Sequence, residues 1–565
     1  MTTTLSLPAP HKAPRWDGAM LAAQGTSWLW VGLLAVAIGL PLAAILGQAF
    51  LPQDQVSLAV FQSLFEQPGF AQAARQSLIA ATATTLVVIP IAFAFAACLQ
   101  RVALPGKAGF RLVMLLPLLA PSLLPGIALV YLFGHQGLLK SWLPDGQVYG
   151  LPGIVLGEVF YTLPHALMVL MTTLAIGDRR LYEAATTLGA GPIRRFLTIT
   201  LPSARYGLIS ASLLVFTLAI TDFGVPKVIG GQYAVLSVDI YKQVVGQQNF
   251  PRGAAIGLLL LLPALLSFVI DRLVARRQQL ALANRAEPLQ AIRHPALVAL
   301  ATGFCLLVSL ALCSMLGTAI GAAFIKSWPY QLTPTLAHFD FDNVDGEGWL
   351  AFTQSLTLAG VAAVVGTMVV LIGAWLTERL PLPRFARQSI QALAMLPMAV
   401  PGLVLGLGYI FFFNAPGNPL HGLYGTLPLL VICTIAHFYT TAHLTAVTSL
   451  KQLNGELEAV AASLGVSCWR TLWRVTLPAS LPALLDMARY FFVSAMTTVS
   501  AVVLLYTPEH PLAAIAVVQM DDAGDTAAAA AMATLIVAAN LLACLVFNLL
   551  TRGVARRSMR WRQAG

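Results

Sequence analysis

The chain has 565 residues, 58% of them hydrophobic and only 10% charged, with 33 Lys and Arg against 23 Asp and Glu for a net charge of +10. Ordinary soluble domains carry about a quarter charged residues, which argues against a large soluble enzyme, a disordered chain and a nucleic-acid binder. The charges are also segregated: none falls in 18–53, 76–100, 112–139, 294–325, 348–377, 388–450 or 526–551, and a membrane helix needs ~20 nearly uncharged residues.

In chain order, a polar tail with Lys12, Arg15 and Asp17 precedes an apolar run from Trp28 to Phe50. That run is longer than a signal-peptide core of ~7–15 residues and reads as a first anchor. Further spans are expected near 78–99, 112–134, 153–177, 207–228, 253–271, 296–324, 355–377, 390–413, 424–447, 484–506 and 528–551. Asn414-Ala-Pro-Gly-Asn418-Pro supplies the turn that divides the long charge-free stretch. The reading is an all-α polytopic membrane protein of about twelve transmembrane helices.

With the N-terminal tail cytoplasmic, twenty-six of the 33 basic residues fall on cytoplasmic loops and tails and six on the other side. This positive-inside bias places both termini in the cytoplasm. The basic excess therefore reports topology, and no nucleic-acid partner is expected. The six cysteines show no metal-ligand spacing and read as small core residues.

The Arg-, Gln- and Ala-rich stretch around Asp271–His294 divides the spans six and six. Met114-Leu-Leu-Pro117-Leu-Leu-Ala-Pro121 matches Ala394-Met-Leu-Pro397-Met-Ala-Val-Pro401, Phe160-Tyr161-Thr162 with His165 matches Phe438-Tyr439-Thr440 with His443, and Gln76-Ser77-Leu78 matches Gln354-Ser355-Leu356. Two parallel repeats of even span number follow. The expected organisation is a cytoplasmic tail 1–26, a first half 27–272, a linker 273–293, a second half 294–552 and a basic cytoplasmic tail 553–565.

The two longest cytoplasmic loops carry another repeat. Glu183-Ala184-Ala185, three residues, Gly189, nine residues, then Ile199-Thr-Leu201-Pro202 recurs as Glu458-Ala459-Val-Ala461, Gly465, then Val475-Thr-Leu477-Pro478. Each reads as a short amphipathic helix, a Gly at which positive φ lets the chain turn, a second short helix with aromatics and arginines, and a Leu-Pro that restarts a membrane helix. Such an elbow offers a knob to a groove on another protein. The alternative is an interfacial helix pair lying in the lipid headgroups.

The pattern resembles the "EAA" loop of inner-membrane permeases of ATP-binding-cassette (ABC) importers, the loop that docks into the ATPase subunit. The first copy, 183–202, fits at every defining position. The second, 458–478, has Ala459 where Glu is expected, its acid one residue earlier at Glu458, and Val475 for Ile. The resemblance implies the type I ABC importer permease fold in a bacterial cytoplasmic membrane and a non-catalytic subunit. Its implied coupling residues are Glu183, Ala184, Ala185, Gly189, Leu201, Pro202, Glu458, Ala461, Gly465, Leu477 and Pro478. It also implies two ATPase partners that hold ATP and magnesium, a periplasmic or extracellular solute-binding protein, and no cofactor in this chain. Consistently, no Gly-x4-Gly-Lys-Ser/Thr phosphate loop is present. A fused chain with both loops looks like the iron(III), thiamine and 2-aminoethylphosphonate group. Thr221-Asp222-Phe223-Gly224, Thr497-Thr498-Val-Ser500 and Asp521-Asp522-Ala-Gly524-Asp525 resemble the 2-aminoethylphosphonate permeases in particular. Ferric ion is the alternative solute.

Ionisable groups within a span are costly and often functional. Glu158, Tyr161 or Thr162, and His165 share one helical face, and with Asp222, Thr498 and His443 they are candidate pathway or gate residues. The competing reading is interhelical hydrogen bonding that fixes the fold. Glu158 and Asp222 also admit an ion-coupled secondary transporter, which leaves the paired elbows unexplained. The proline pairs 117/121 and 397/401 are expected to kink spans 3 and 9.

Overall fold

The computed structural model describes residues 18–50, 57–143, 148–281, 289, 291–341, 344, 347–453 and 456–563. Most of the expected N-terminal tail, much of the linker, and Asp342 and Asp345 of the acidic loop lie outside them. Apart from a hairpin of β1 (Ile325–Ser327) and β2 (Gln331–Pro334), the regular structure is helical.

In the first half, α1 (Gln24–Phe50) and α2 (Gly69–Arg101) are followed by the bent pair α3 (Lys107–Leu119) and α4 (Leu124–Phe133), then α5 (Leu151–Ala175). An elbow helix α6 (Arg179–Thr187) leads into α7 (Pro192–Thr221). Two short helices, α8 (Gly224–Ile229) and α9 (Leu236–Tyr241), precede α10 (Phe250–Val274). The second half repeats this order: α11 (Pro295–Ala323), α12 (Gly348–Arg379), the bent pair α13 (Arg384–Ala399) and α14 (Gly402–Phe413), and α15 (Leu427–Gln452). The elbow helices α16 (Glu456–Ser463) and α17 (Cys468–Thr471), then α18 (Leu477–Thr497), α19 (Ala513–Asp522) and α20 (Thr526–Val554), complete it.

Among the described residues nine helices are long and apolar enough to cross a membrane, or eleven if each bent pair is one span. The eleventh expected span, 484–506, is realised as α18, which ends at Thr497 because Thr498 turns extended (ψ 132°). Its counterpart at 207–228 likewise starts earlier and stops earlier, at Thr221. The α-helical part of each membrane helix starts at its Leu-Pro, at Leu201 and at Leu477. Single π-turns at Phe196–Thr200 and Leu472–Thr476 carry each second elbow helix straight into the membrane helix, absorbing the extra residue that a π-turn admits.

The proline pairs do more than kink. The axes of α3 and α4 meet at 102° and those of α13 and α14 at 119°. A residue before proline is pushed out of the α region; accordingly Ala120 (ψ 144°) precedes Pro121 and Val400 (ψ 119°) precedes Pro401.

The halves are interlocked. The first helix of each packs on the bent pair of the other: α1 on α13 and α14, α11 on α3 and α4. The Tyr409 hydroxyl donates to the Ala37 carbonyl (2.7 Å) and the Asn540 amide to that of Leu119 (2.9 Å). Satisfying polar groups internally is what an apolar solvent demands. The repeat extends to single contacts. Ser77 accepts from the first backbone N–H of α9 (Leu236) and Ser355 from that of α19 (Ala513), each at 2.8 Å.

Candidate functional site: paired elbows and a buried carboxyl pair

In the first elbow, Asp178 caps α6 by accepting from the Arg180 amide at 3.1 Å. The helix stops where Gly189 takes φ +71°, and the Ala190 amide closes back on the Ala185 carbonyl (2.9 Å). Gly465 does the same in the second elbow at φ +69°, with the Val466 amide on the Ala461 carbonyl (2.9 Å). A side chain other than Gly or Asn is disfavoured there, which explains the Gly in both copies.

Among the described residues nothing covers the elbow tips. No residue of α6 is buried; Leu188 is 83% exposed, beside exposed Leu181, Ile193 and Leu197. In the second elbow Leu464 is 74% exposed, with Val460 and Trp473 also open. Large apolar side chains left exposed together on a short loop are the kind of surface that marks an interaction site.

The roots of the elbows are anchored by an arginine that sequence reading placed only among the cytoplasmic positives. Arg101 ends α2 and Arg379 ends α12, at equivalent places in the repeat. Arg101 donates to Thr200 Oγ1 (2.7 Å) and lies 5.1 Å from the Tyr182 ring centre, while the Tyr182 hydroxyl also meets Thr200 (2.8 Å). Arg379 instead pairs with Glu458 (3.0 Å) and donates to the Leu450 and Leu453 carbonyls. Counted from the two glycines, Tyr182 and Glu458 are equivalent positions. The displaced acid of the second copy thus faces inward to its own scaffold, whereas Glu183 is exposed and paired within α6 to Arg179 at 2.5 Å. The side chain of Ala459 lies outside the described residues. Ala184 and Leu201 are exposed, Ala185 and Ala461 half-buried, and Leu477 and Pro478 begin α18.

Of the membrane candidates, Glu158 and Asp222 come together. Glu158 is fully buried and its carboxyl faces that of Asp222, yet neither of its oxygens has a hydrogen-bond partner. Asp222 accepts from the Val225 amide (2.8 Å), and its backbone carbonyl accepts from Ser237 (2.6 Å). The rest of the polar stripe bonds to its own helix: Thr162 to the Glu158 carbonyl (2.7 Å) and His165 Nδ1 to the Tyr161 carbonyl (3.2 Å). His165 and His443 pack on Tyr161 and Tyr439, with ring centres 5.7 and 5.6 Å apart, and among the described residues neither hydrogen-bonds the carboxyl pair. Thr498, at the end of α18, is buried. Among the described residues no His, Cys, Asp and Glu cluster is suited to a metal ion.

On the face opposite the elbows, Lys227 of α8 reaches Asp522 of α19 (2.9 Å) and lies 5.4 Å from the Tyr241 ring centre. This ion pair crosses between halves. Burial, reinforced by neighbouring Asp522 and opposed by Lys227, raises the Asp521 carboxyl to about 6.

Two interlocked helical repeats, each with a bent span and a bare apolar elbow, define a membrane transport subunit. The chain belongs to the family described as "Binding-protein-dependent transport system inner membrane component", which it matches twice, over 89–280 and 369–560. It is similar to the ferric transport system permease protein FbpB of Actinobacillus pleuropneumoniae, 25% identical over 82% of this chain and 69% of the relative. It is also similar to the Fe(3+)-transport system permease protein FbpB 2 of Haemophilus influenzae, 25% identical over 90% of this chain and 96% of the relative. The spermidine/putrescine transport system permease protein PotB of the same organism is 28% identical over 44% of this chain and 90% of its own length. The chain is therefore a multi-pass inner-membrane permease of a binding-protein-dependent ABC importer and, as such, a non-catalytic subunit.

Proposed function

We propose that this permease couples to two ATPase subunits through its two elbows, which face the cytoplasm together with both termini, and receives its solute from a binding protein on the opposite side. The observation that carries the reading is the pair of matched, uncovered apolar knobs at Leu188 and Leu464, rooted by Arg101 and Arg379. ATP binding in the partners draws the elbows together, and the interlocked halves rock as rigid bodies between inward-open and outward-open states. ATP and magnesium belong to the partner ATPase.

Of the two solutes that the sequence leaves in play, the names of the full-length relatives favour ferric ion over 2-aminoethylphosphonate. The test is uptake into proteoliposomes carrying the permease, the ATPase and the binding protein encoded beside it. Uptake of radiolabelled ferric ion that needs internal ATP and survives collapse of ion gradients supports the proposal. Uptake of 2-aminoethylphosphonate alone overturns the solute, and dependence on a gradient without ATP overturns the coupling.

A further inference from the structure

The carboxyl pair of the first half has no role in the coupling just described, and its geometry poses a charge problem. Glu158 on α5 is fully buried, and Asp222, at the junction of α7 and α8, is 9% exposed. α2, α3, α7 and α8 all pack on α5. They carry Arg75, Arg101, Lys107, Arg111, Arg194, Arg195, Arg205 and Lys227. Among the described residues none of these cations forms an ion pair with either carboxyl; Arg101 is engaged at the elbow root and Lys227 at Asp522. His165 of α5 turns to the Tyr161 carbonyl, and the Tyr161 hydroxyl sits within electrostatic reach of both carboxyls and of Tyr490 on α18. Two facing carboxylates without a counter-charge in a membrane core cost far more than one proton shared between them.

The donors around the pair are unequal. Asp222 receives the Val225 amide at 2.8 Å. Among the described residues both oxygens of Glu158 lack any donor. A fixed N–H dipole stabilises charge on Asp222, and among the described residues no donor does so on Glu158.

We propose that Glu158 is a neutral carboxylic acid whose O–H donates to the Asp222 carboxylate, so that the pair holds one proton and one negative charge. This bond fastens α8 to α5. α8 also presents Lys227 to Asp522 of the other half, so the proton supports the seating of a helix that bridges the halves on the face away from the elbows. The second half has no such device, because Ala436 and Thr498 stand at the equivalent positions.

The test is infrared spectroscopy of the full-length permease in lipid nanodiscs at neutral pH. A protonated-carboxyl C=O band is expected that shifts when glutamate carboxyl carbons are isotopically labelled and disappears in Glu158→Gln. The amide retains a donor to Asp222, so this variant should keep wild-type thermal stability, whereas Glu158→Ala should lose it. A band insensitive to glutamate labelling, or no band, overturns the proposal even if no variant assembles. So does a band that survives in folded Glu158→Gln.

Discussion

Arg379 holds Glu458 at 3.0 Å, and its repeat partner Arg101 holds Tyr182 by its ring face, at the same place in the two halves. One arginine at the end of the second helix thus roots each elbow, by an ion pair on one side and by a cation–π contact and hydroxyl bonds on the other. Arg379→Ala leaves Glu458 and two carbonyls without their donor in a half-buried site. Breaking a buried pair costs about 3–5 kcal/mol; with Glu458 27% exposed the loss should lie at or below the lower end. Amide exchange in 450–463 should quicken by at least tenfold, while Glu183→Ala, on an exposed pair worth ~0–1 kcal/mol, should leave its elbow's exchange near wild type.

Leu188→Asp and Leu464→Asp should weaken ATPase co-purification without lowering the permease's own thermal stability, since neither leucine is packed within the chain. Burying one leucine in a partner contributes about 1.5–3 kcal/mol, so each single variant should lose roughly tenfold or more in affinity and the double variant should detach. Undiminished co-purification by the double variant would remove the elbows as docking elements.

At Gly189, with φ +71° and open space around a would-be Cβ, only backbone strain opposes substitution. Gly189→Ala should cost about 1–2 kcal/mol of local stability, Gly189→Asn less, and Gly189→Pro should abolish the turn. ATPase activity of the assembled complex should fall least for Gly189→Asn, more for Gly189→Ala and most for Gly189→Pro.

The halves solve one close contact in opposite ways. A Cβ on Gly224 would sit 2.1 Å from Ser122 Oγ, and one on Gly402 2.4 Å from Ser500 Oγ. Ser122 and Gly402 are repeat equivalents, as are Gly224 and Ser500, so serine and glycine have exchanged sides. Gly224→Ser should destabilise the detergent-solubilised permease by about 1–3 kcal/mol through overpacking. Adding Ser122→Gly, which copies the second half, should restore most of the loss; a non-additive recovery in a double-mutant cycle is the signature.

Asp521 has its folded value raised from 3.8 to about 6, so the native state holds this proton more tightly than the unfolded chain does. Its contribution to stability is present at acid pH and is lost as pH rises from about 4 through about 6. Thermal stability between these values should decline in the wild type and flatten in Asp521→Asn.

Much was legible before any coordinates. Charge-free runs mark the membrane helices because lipid rejects charge; matched segments at a common offset show the duplication; and the Gly of each elbow follows from a turn that needs positive φ. The Ala120-Pro121 and Val400-Pro401 breaks were legible as positions but not as right-angle bends, since the angle depends on which helices receive the two arms. Gln76-Ser77-Leu78 was visible as a repeat without a reason, which is the helix-start amide each serine accepts.

What the sequence by itself determined is therefore the class, the two-half plan and the elbows, all carried by local composition and short-range periodicity. Tertiary structure alone decided that α1 and α11 cross to the opposite halves, that Glu458 turns inward to Arg379, that Glu158 meets Asp222, and that Lys227 meets Asp522. The last three contacts join residues 64 to 295 positions apart, and no local preference encodes any of the four. They arise because buried polar groups in an apolar medium must find partners wherever the packed helices bring them.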